Sequence, residues 1–394
     1  MNMFLKTTLA LSVCAAISTS AMAKEVLVVW EDNGKSFAID QAAMAFEKEN
    51  DCKVIVKEVD AVKQIEEYST TTEKPDVFIV VSDKVGDAAS NGIIESLDYM
   101  SNEKDLYAEA AINAFSLSGK IWAEPRSVES LVVYYNKDLI EYPFEQFDDY
   151  VAYAKKVEKD GKYGLIGKLD NFYFAYGILA GAGGYTFGIN ADGSFNENDV
   201  GLNNEGTVKG LEIIKDYANN HLPKVLLTDE GWGEIDKLFI EGKAAAVISG
   251  PWSLDKYAQS GINYGIAPLP QLSNGNFIRP FYGAKGYVVA KASKNKQLAE
   301  KFIHTLNKPV YAMMRYVAIA ELPPTKEVMT NPLIVNDDFA NAIAHQIDHA
   351  DLMPSIPRMG KVWGAMAECL SDVISGKKDA KTASNEAVEK IKAD

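Results

Sequence analysis

Ala244-Ala245-Ala246-Val247-Ile248 is a short, wholly apolar run that meets Ser249-Gly250-Pro251-Trp252 without a break. An apolar stretch of this length, bounded by turn residues, reads as a buried strand. Pro251 suits the first position of a helix, where its missing N–H costs nothing. Trp252 is thereby set just past the carboxyl end of a buried strand, which is where ligands bind in open α/β sheets. The plain alternative is a core tryptophan that caps the sheet.

The same pattern recurs elsewhere. Val26-Leu27-Val28-Val29-Trp30 runs into Glu31-Asp32-Asn33-Gly34-Lys35, after which Ile39, Ala42, Ala43 and Phe46 fall at helical spacing. Val54-Ile55-Val56 reads as a second strand, and 76–81 as a third that ends in Ser82-Asp83-Lys84. Strand alternating with helix predicts an α/β fold: a parallel sheet with helices on both faces and the 32–35 and 82–84 loops sharing its carboxyl edge.

The stretch 121–135 breaks this rhythm. Leu131 to Tyr135 is a strand with no helix before it, so 127–132 reads as a crossing into a second lobe. There 144–157, 204–220 (capped by Asn204) and 234–241 read as helices and 163–166 as a strand. The strand 287–290 and the helix 297–306 return to the first lobe, and 337–349, 361–375 and 383–391 read as C-terminal helices. The expected division is 24–128 plus 282–330 for the first lobe and 129–281 plus 331–394 for the second. Lobes joined by several crossings imply a hinged cleft between them.

The first 23 residues read as a signal peptide: a short charged start, an apolar run from Thr7 to Ile17 and the A-x-A site Ala21-Met22-Ala23. That run is too short to span a bilayer, so the mature chain is expected in the periplasm. Val13 stands before Cys14 where a lipobox needs a small residue, which argues against a lipid anchor. Cys52 and Cys369 read as buried free thiols, with a disulfide as the alternative. A net charge of −15 argues against nucleic acid or anionic membrane as partner.

Asp32, Asp83, Glu129 and Asp170 are the carboxylates placed to face the cleft. Paired carboxylates serve a glycosidase, and they equally serve a sugar binder, because a carboxylate accepts hydrogen bonds from neighbouring hydroxyls. The chain shows no phosphate loop, dinucleotide fingerprint or nucleophile motif, so no cofactor is expected. His345 and His349 share a helix face but lack the Glu of a zinc helix, and read as a solvated face rather than a metal site. Trp252, Tyr173, Phe174 and Trp363 form an aromatic set that could stack on the C–H face of a pyranose while polar groups take its hydroxyls.

Over nearly its whole length after residue 23 the sequence resembles the periplasmic maltose/maltodextrin-binding proteins, the solute-binding components of ABC transporters. The resemblance runs through Val28-Val29-Trp30 with Lys35, Pro75-Asp76 with Asp83, Tyr135-Asn136-Lys137-Asp138-Leu139, 181–185, Gly250-Pro251-Trp252, and Met353-Pro354-Ser355-Ile356-Pro357 through Trp363. It implies a two-lobed periplasmic-binding-protein fold, a monomer, that closes on a malto-oligosaccharide and delivers it to an inner-membrane permease. The family's sugar contacts fall on Lys35, Asp83, Glu129, Tyr173, Trp252 and Trp363, with Asp32 or Asn33 in the first loop.

Some positions depart from that pattern. Val80, Lys84, Asn171, Gly364 and Ala367 stand where the family carries Trp, Arg, an acid, Tyr and Arg, and Glu124 and Arg126 add charge where it is apolar. These changes are expected to reshape at least one subsite. A different sugar or a polyol is therefore one alternative, an anionic sugar held by Lys84 and Arg126 another, and an exported carbohydrate-active enzyme using Glu129 and Asp83 a third.

Overall fold

The computed structural model describes residues 24–393; the expected signal segment, with Cys14, lies outside them. The strands that build the two main sheets are, in chain order, β1 Val26–Glu31, β2 Lys53–Glu58, β3 Val77–Val81, β4 Glu124–Ser130, β5 Val132–Asn136, β6 Tyr163–Ile166, β7 Ala244–Ser249, β8 Tyr264–Ala267, β9 Phe281–Val289 and β10 Asp351–Leu352. β10, β9, β3, β1 and β2 lie side by side, with β4 also paired to β9. The second sheet has the order β8-β5-β7-β6. Each sheet is the core of one lobe.

Local pattern explains most of this. β7 is buried at all six positions, as its apolar run requires, and it pairs in parallel with β6 and antiparallel with β5. Ile39, Ala42, Ala43 and Phe46 are all buried, the last three on the inner stripe of helix α1, Asp40–Asn50. Asn204 caps a helix at Glu205–His221, its side chain accepting from the Thr207 N–H at 2.8 Å. Cys52 and Cys369 are free and buried.

The parallel sheet expected of the first lobe holds for β1, β2 and β3, but β9 runs antiparallel to both β3 and β4. The crossing between lobes narrows to Leu131, with β4 in one sheet and β5 in the other. Glu129 pairs with Gly283, Phe281 with Asp351. Glu129, Phe281 and the 351–352 strand thus belong to the first sheet, although the sequence division placed them in the second lobe. Hydrophobic pattern marks only 287–290 of β9 and no strand over 124–130; pairing with β3, β4 and β10 starts β9 at Phe281.

Three further helices matter for the cleft: α2 Phe172–Gly181, α3 Pro309–Ile319 and α4 Met359–Ile374. α2 is capped by Asn171, which accepts from the Tyr173 N–H at 3.0 Å. A Cβ on Gly177 would stand 2.8 Å from Ile278 Cγ2 and 3.1 Å from the Pro280 nitrogen. Glycine there lets α2 lie directly on the segment that leads into β9.

Candidate ligand-binding cleft

The site is built from the carboxyl ends of β1, β3 and β7 and the hinge strands β4 and β9. At the end of β1 a tight turn brings the Lys35 N–H to the Asp32 carbonyl at 3.0 Å. Asp32 Oδ1 accepts the N–H groups of Asn33 and Ala61, both at 3.0 Å. Lys35 Nζ sits 3.2 Å from Asp32 Oδ2 and 3.2 Å from Glu321 Oε1. Burial would raise the Asp32 carboxyl, but Lys285, Lys35 and the Ala61 N–H together hold it below its ordinary range.

Across the cleft, Pro251–Ser253 forms a single turn that opens the helix Leu254–Ser260. A Cβ on Gly250 would meet the Trp252 ring at 2.4 Å, so the glycine allows the indole to fold back over its own chain. The Tyr134 hydroxyl donates to the Gly250 carbonyl at 2.9 Å and pins that turn. Trp252 is left 47% exposed, which sets it apart from a core tryptophan. It faces a cavity of about 720 Å³, open mouth included, shared with Asn33, Lys35, Glu129, Lys285 and Glu321. Its walls come from both lobes.

Beneath the cavity lies a buried ionic cluster. Arg126 is fully buried on β4 and pairs with Glu31 through Nη1 and with Glu321 through Nε. The Tyr287 hydroxyl donates to Glu31 Oε2 at 3.1 Å, and the Arg126 guanidinium lies 5.2 Å from the Tyr287 ring centre. Burial would raise the Glu321 carboxyl, but Arg126, Lys285 and Lys35 drive it far below the usual carboxylate range. Arg126 is thus committed to structure, and it is corrected as a candidate anion-binding group.

Further along the cleft the rings form a continuous series. Tyr173 lies 6.3 Å from Trp252 and 6.5 Å from Phe281, and Phe281 lies 6.2 Å from Trp363. Trp363 Nε1 donates to Asp83 Oδ2 at 3.2 Å, tying α4 to the loop after β3. Burial raises the Asp83 carboxyl, with Lys84, 3.6 Å away, and Trp363 opposing. Burial, with the charges of Glu129 and Asp83, raises the Tyr173 hydroxyl.

Of the residues expected from sequence, Asn33, Lys35, Glu129 and Trp252 line the cavity directly. Asp32 pairs with Lys35, and Tyr173 and Trp363 belong to the adjoining aromatic series, with Asp83 hydrogen-bonded to Trp363. Phe174 is the exception. It is 7% exposed and wedged edge-on between Trp232 and Trp252, so it supports Trp252 from behind. On a helix, neighbouring residues point in different directions, and the Phe174 side of α2 faces the core. Asp170 is paired to Lys168, which also donates to the carbonyls of Leu226 and Thr228, away from the cavity. His349 stacks on Phe277 at 3.9 Å. Sequence reasoning missed Ser127, Lys285 and Glu321. An isolated lysine within the otherwise apolar strand 281–289 was the available signal.

Residues 41–342 match the family described as bacterial extracellular solute-binding protein. The chain is 38% identical over 373 residues to the galactooligosaccharide-binding protein of Bacillus subtilis (strain 168), covering 93% of this chain and 88% of that one. It is 32% identical over 394 residues to the maltodextrin-binding protein MdxE of the same organism, covering 97% and 93%. Among solved structures, MalX from Streptococcus pneumoniae in complex with maltopentaose superposes with a TM-score of 0.85 at 33% identity, over 93% of this chain and 99% of that one. The maltose complex of the periplasmic protein MalE from Listeria monocytogenes gives 0.81 at 34% identity, over 93% and 97%. With its two lobes and the cavity between them, this chain belongs to the bacterial extracellular solute-binding proteins that serve ABC transporters.

Proposed function

We propose that the protein captures a neutral oligosaccharide between its lobes and hands it to an inner-membrane ABC permease, acting as a monomer in the periplasm and performing no chemistry on its ligand. The observation that carries this reading is the cavity itself: an exposed indole from one lobe faces fixed carboxylates and ammonium groups from the other. An aromatic face and a polar floor match the two sides of a pyranose. A ligand that touches both lobes favours the closed arrangement by its differential affinity.

The charges favour a neutral ligand. Lys35 and Lys285 are each answered by carboxylates, and Asp255 adds another acid to the lining. An incoming anion would meet more negative than positive charge.

Maltodextrins are the first ligand class, on the sequence resemblance. The 38% identical galactooligosaccharide binder supports galacto-oligosaccharides as the second. Tryptophan fluorescence during titration with maltose, maltotriose, galactotriose and unrelated sugars tests the reading. A saturable change with either oligosaccharide series is expected; silence toward all neutral oligosaccharides would overturn it. Chromatography of the sugars after incubation should show no shorter products, and gel filtration should show one chain per particle.

Trp252→Ala is expected to weaken binding by about 1–3 kcal/mol, roughly 10- to 100-fold, since a stacking ring is lost. Calorimetry that returns an unchanged affinity would remove Trp252 from the site.

A further inference from the structure

We infer that Lys285, with Ser127 beside it, is a specificity-determining ligand contact of this cleft: the ammonium and the hydroxyl meet oxygen atoms of a sugar diol while Glu129 accepts from the neighbouring hydroxyl. This rests on the oligosaccharide reading above.

The hinge strands set the arrangement. Lys285 on β9 is the direct partner of Ser127 on β4, and Glu129, two residues on, is the partner of Gly283. Direct partners and residues two apart share a face of a sheet. Ser127, Glu129 and Lys285 therefore present one polar row, and all three line the cavity.

None of the three side chains has a hydrogen-bond partner among the described residues. Lys285 Nζ lies 3.7 Å from Glu129 Oε2, 3.9 Å from Glu321 Oε1 and 4.0 Å from Asp32 Oδ2. These distances give ion pairing but not hydrogen bonds. An ammonium has three donors, and among the described residues none of them finds an acceptor within range. Ser127 Oγ is buried and likewise lacks a partner among the described residues. Lys35, by contrast, already sits within hydrogen-bond distance of Asp32 and Glu321. A buried group left without a partner, as Ser127 Oγ is, is costly, and an oxygen bound here would satisfy it and meet the Lys285 ammonium as well.

The surroundings fix the charge state and the kind of oxygen admitted. Asp32 faces Lys285 from the loop after β1, Glu129 and Arg126 from β4, and Glu321 from the segment after α3; Lys35 and, from the second lobe, Asp255 line the same cavity. Burial opposes the Lys285 charge, but Glu129, Glu321 and Asp32 hold it protonated well past the ordinary lysine range. With three carboxylates around it, the ammonium suits a neutral hydroxyl rather than a carboxylate or phosphate. A site built to hydrogen-bond a hydroxyl discriminates strongly against the analogue that lacks it.

The test measures calorimetric affinity for maltotriose, galactotriose and a set of monodeoxy maltotrioses or galactotrioses with wild type, Lys285→Met, Lys285→Arg and Ser127→Ala. Lys285→Met should lose about 10- to 100-fold in affinity and Ser127→Ala about 5- to 10-fold, as expected for hydrogen bonds removed from a desolvated site. One monodeoxy sugar should be penalised by the wild type and not by Lys285→Met, because its missing hydroxyl is the one that lysine meets. Lys285→Arg keeps the charge and the fold, and should still alter the ranking of the deoxy sugars. A purely structural lysine would lower the melting temperature and leave that ranking unchanged. Wild type that binds, with the affinity and ranking preserved in all three variants, overturns this contact alone. Wild type silent toward every oligosaccharide overturns the function proposed above, and this contact with it.

Discussion

Arg126 shows how a single residue can be read two ways until its neighbours are known. In the sequence it is a free cation near the cleft; in the structure it is fully buried between Glu31 and Glu321. Removing one partner from such a cluster strands the others, so Arg126→Met should cost about 3–5 kcal/mol, read by chemical denaturation. Glu321 and Asp32 both have carboxyl pKa values lowered in the folded state. A lowered folded value contributes stability above the ordinary carboxyl range, lost as pH falls through it. Melting temperature should therefore fall as pH drops below about 4.3, and Glu321→Gln should flatten that slope. A slope unchanged in the variant would mean other carboxylates govern acid stability.

Helix α2 is the element that sequence pattern did not reveal. Phe172-Tyr173-Phe174-Ala175-Tyr176-Gly177 is buried nearly all round, so it has no polar face and no amphipathic period to read. Its cap was visible in Asn171, but a cap without a periodic run is weak grounds for a helix. The helix matters because it carries Tyr173 to the cleft and Phe174 behind Trp252. Gly177→Val would drive side-chain atoms into Ile278 and Pro280 and should destabilise by about 1–3 kcal/mol, measured by thermal melting. The physical reason is contact with β9's lead-in, which local sequence does not contain.

At the scale of the molecule, closure depends on where the lobes meet. Trp363 holds Asp83 across the boundary, and three residues further along a Cβ on Gly86 would lie 2.3 Å from the Ser355 carbonyl and 2.8 Å from the Pro357 nitrogen. Both obstacles are backbone and cannot rotate away. Gly86→Ala should push 355–357 off the helix Val85–Ser90 and loosen the Asp83–Trp363 tie. The expected outcome is weaker oligosaccharide binding together with a larger radius of gyration in small-angle scattering. An unchanged radius and affinity would show that this contact does not set closure.

The α/β class, the buried strand β7 with its tight turn, the loops after β1 and β3 and the position of Trp252 were legible in the chain alone, because they follow from periodicity and turn chemistry within a few residues. It also carried the family resemblance, which the comparisons bear out. That Lys285, Ser127 and Glu321 border the cavity, that Arg126 is sealed beneath it and that Phe174 turns away emerged from the packing in three dimensions. Those outcomes depend on strand register and on charges brought together from positions 31, 126, 285 and 321. Electrostatic pairing in a cleft is a property of distance in space, and separation along the chain carries no record of it.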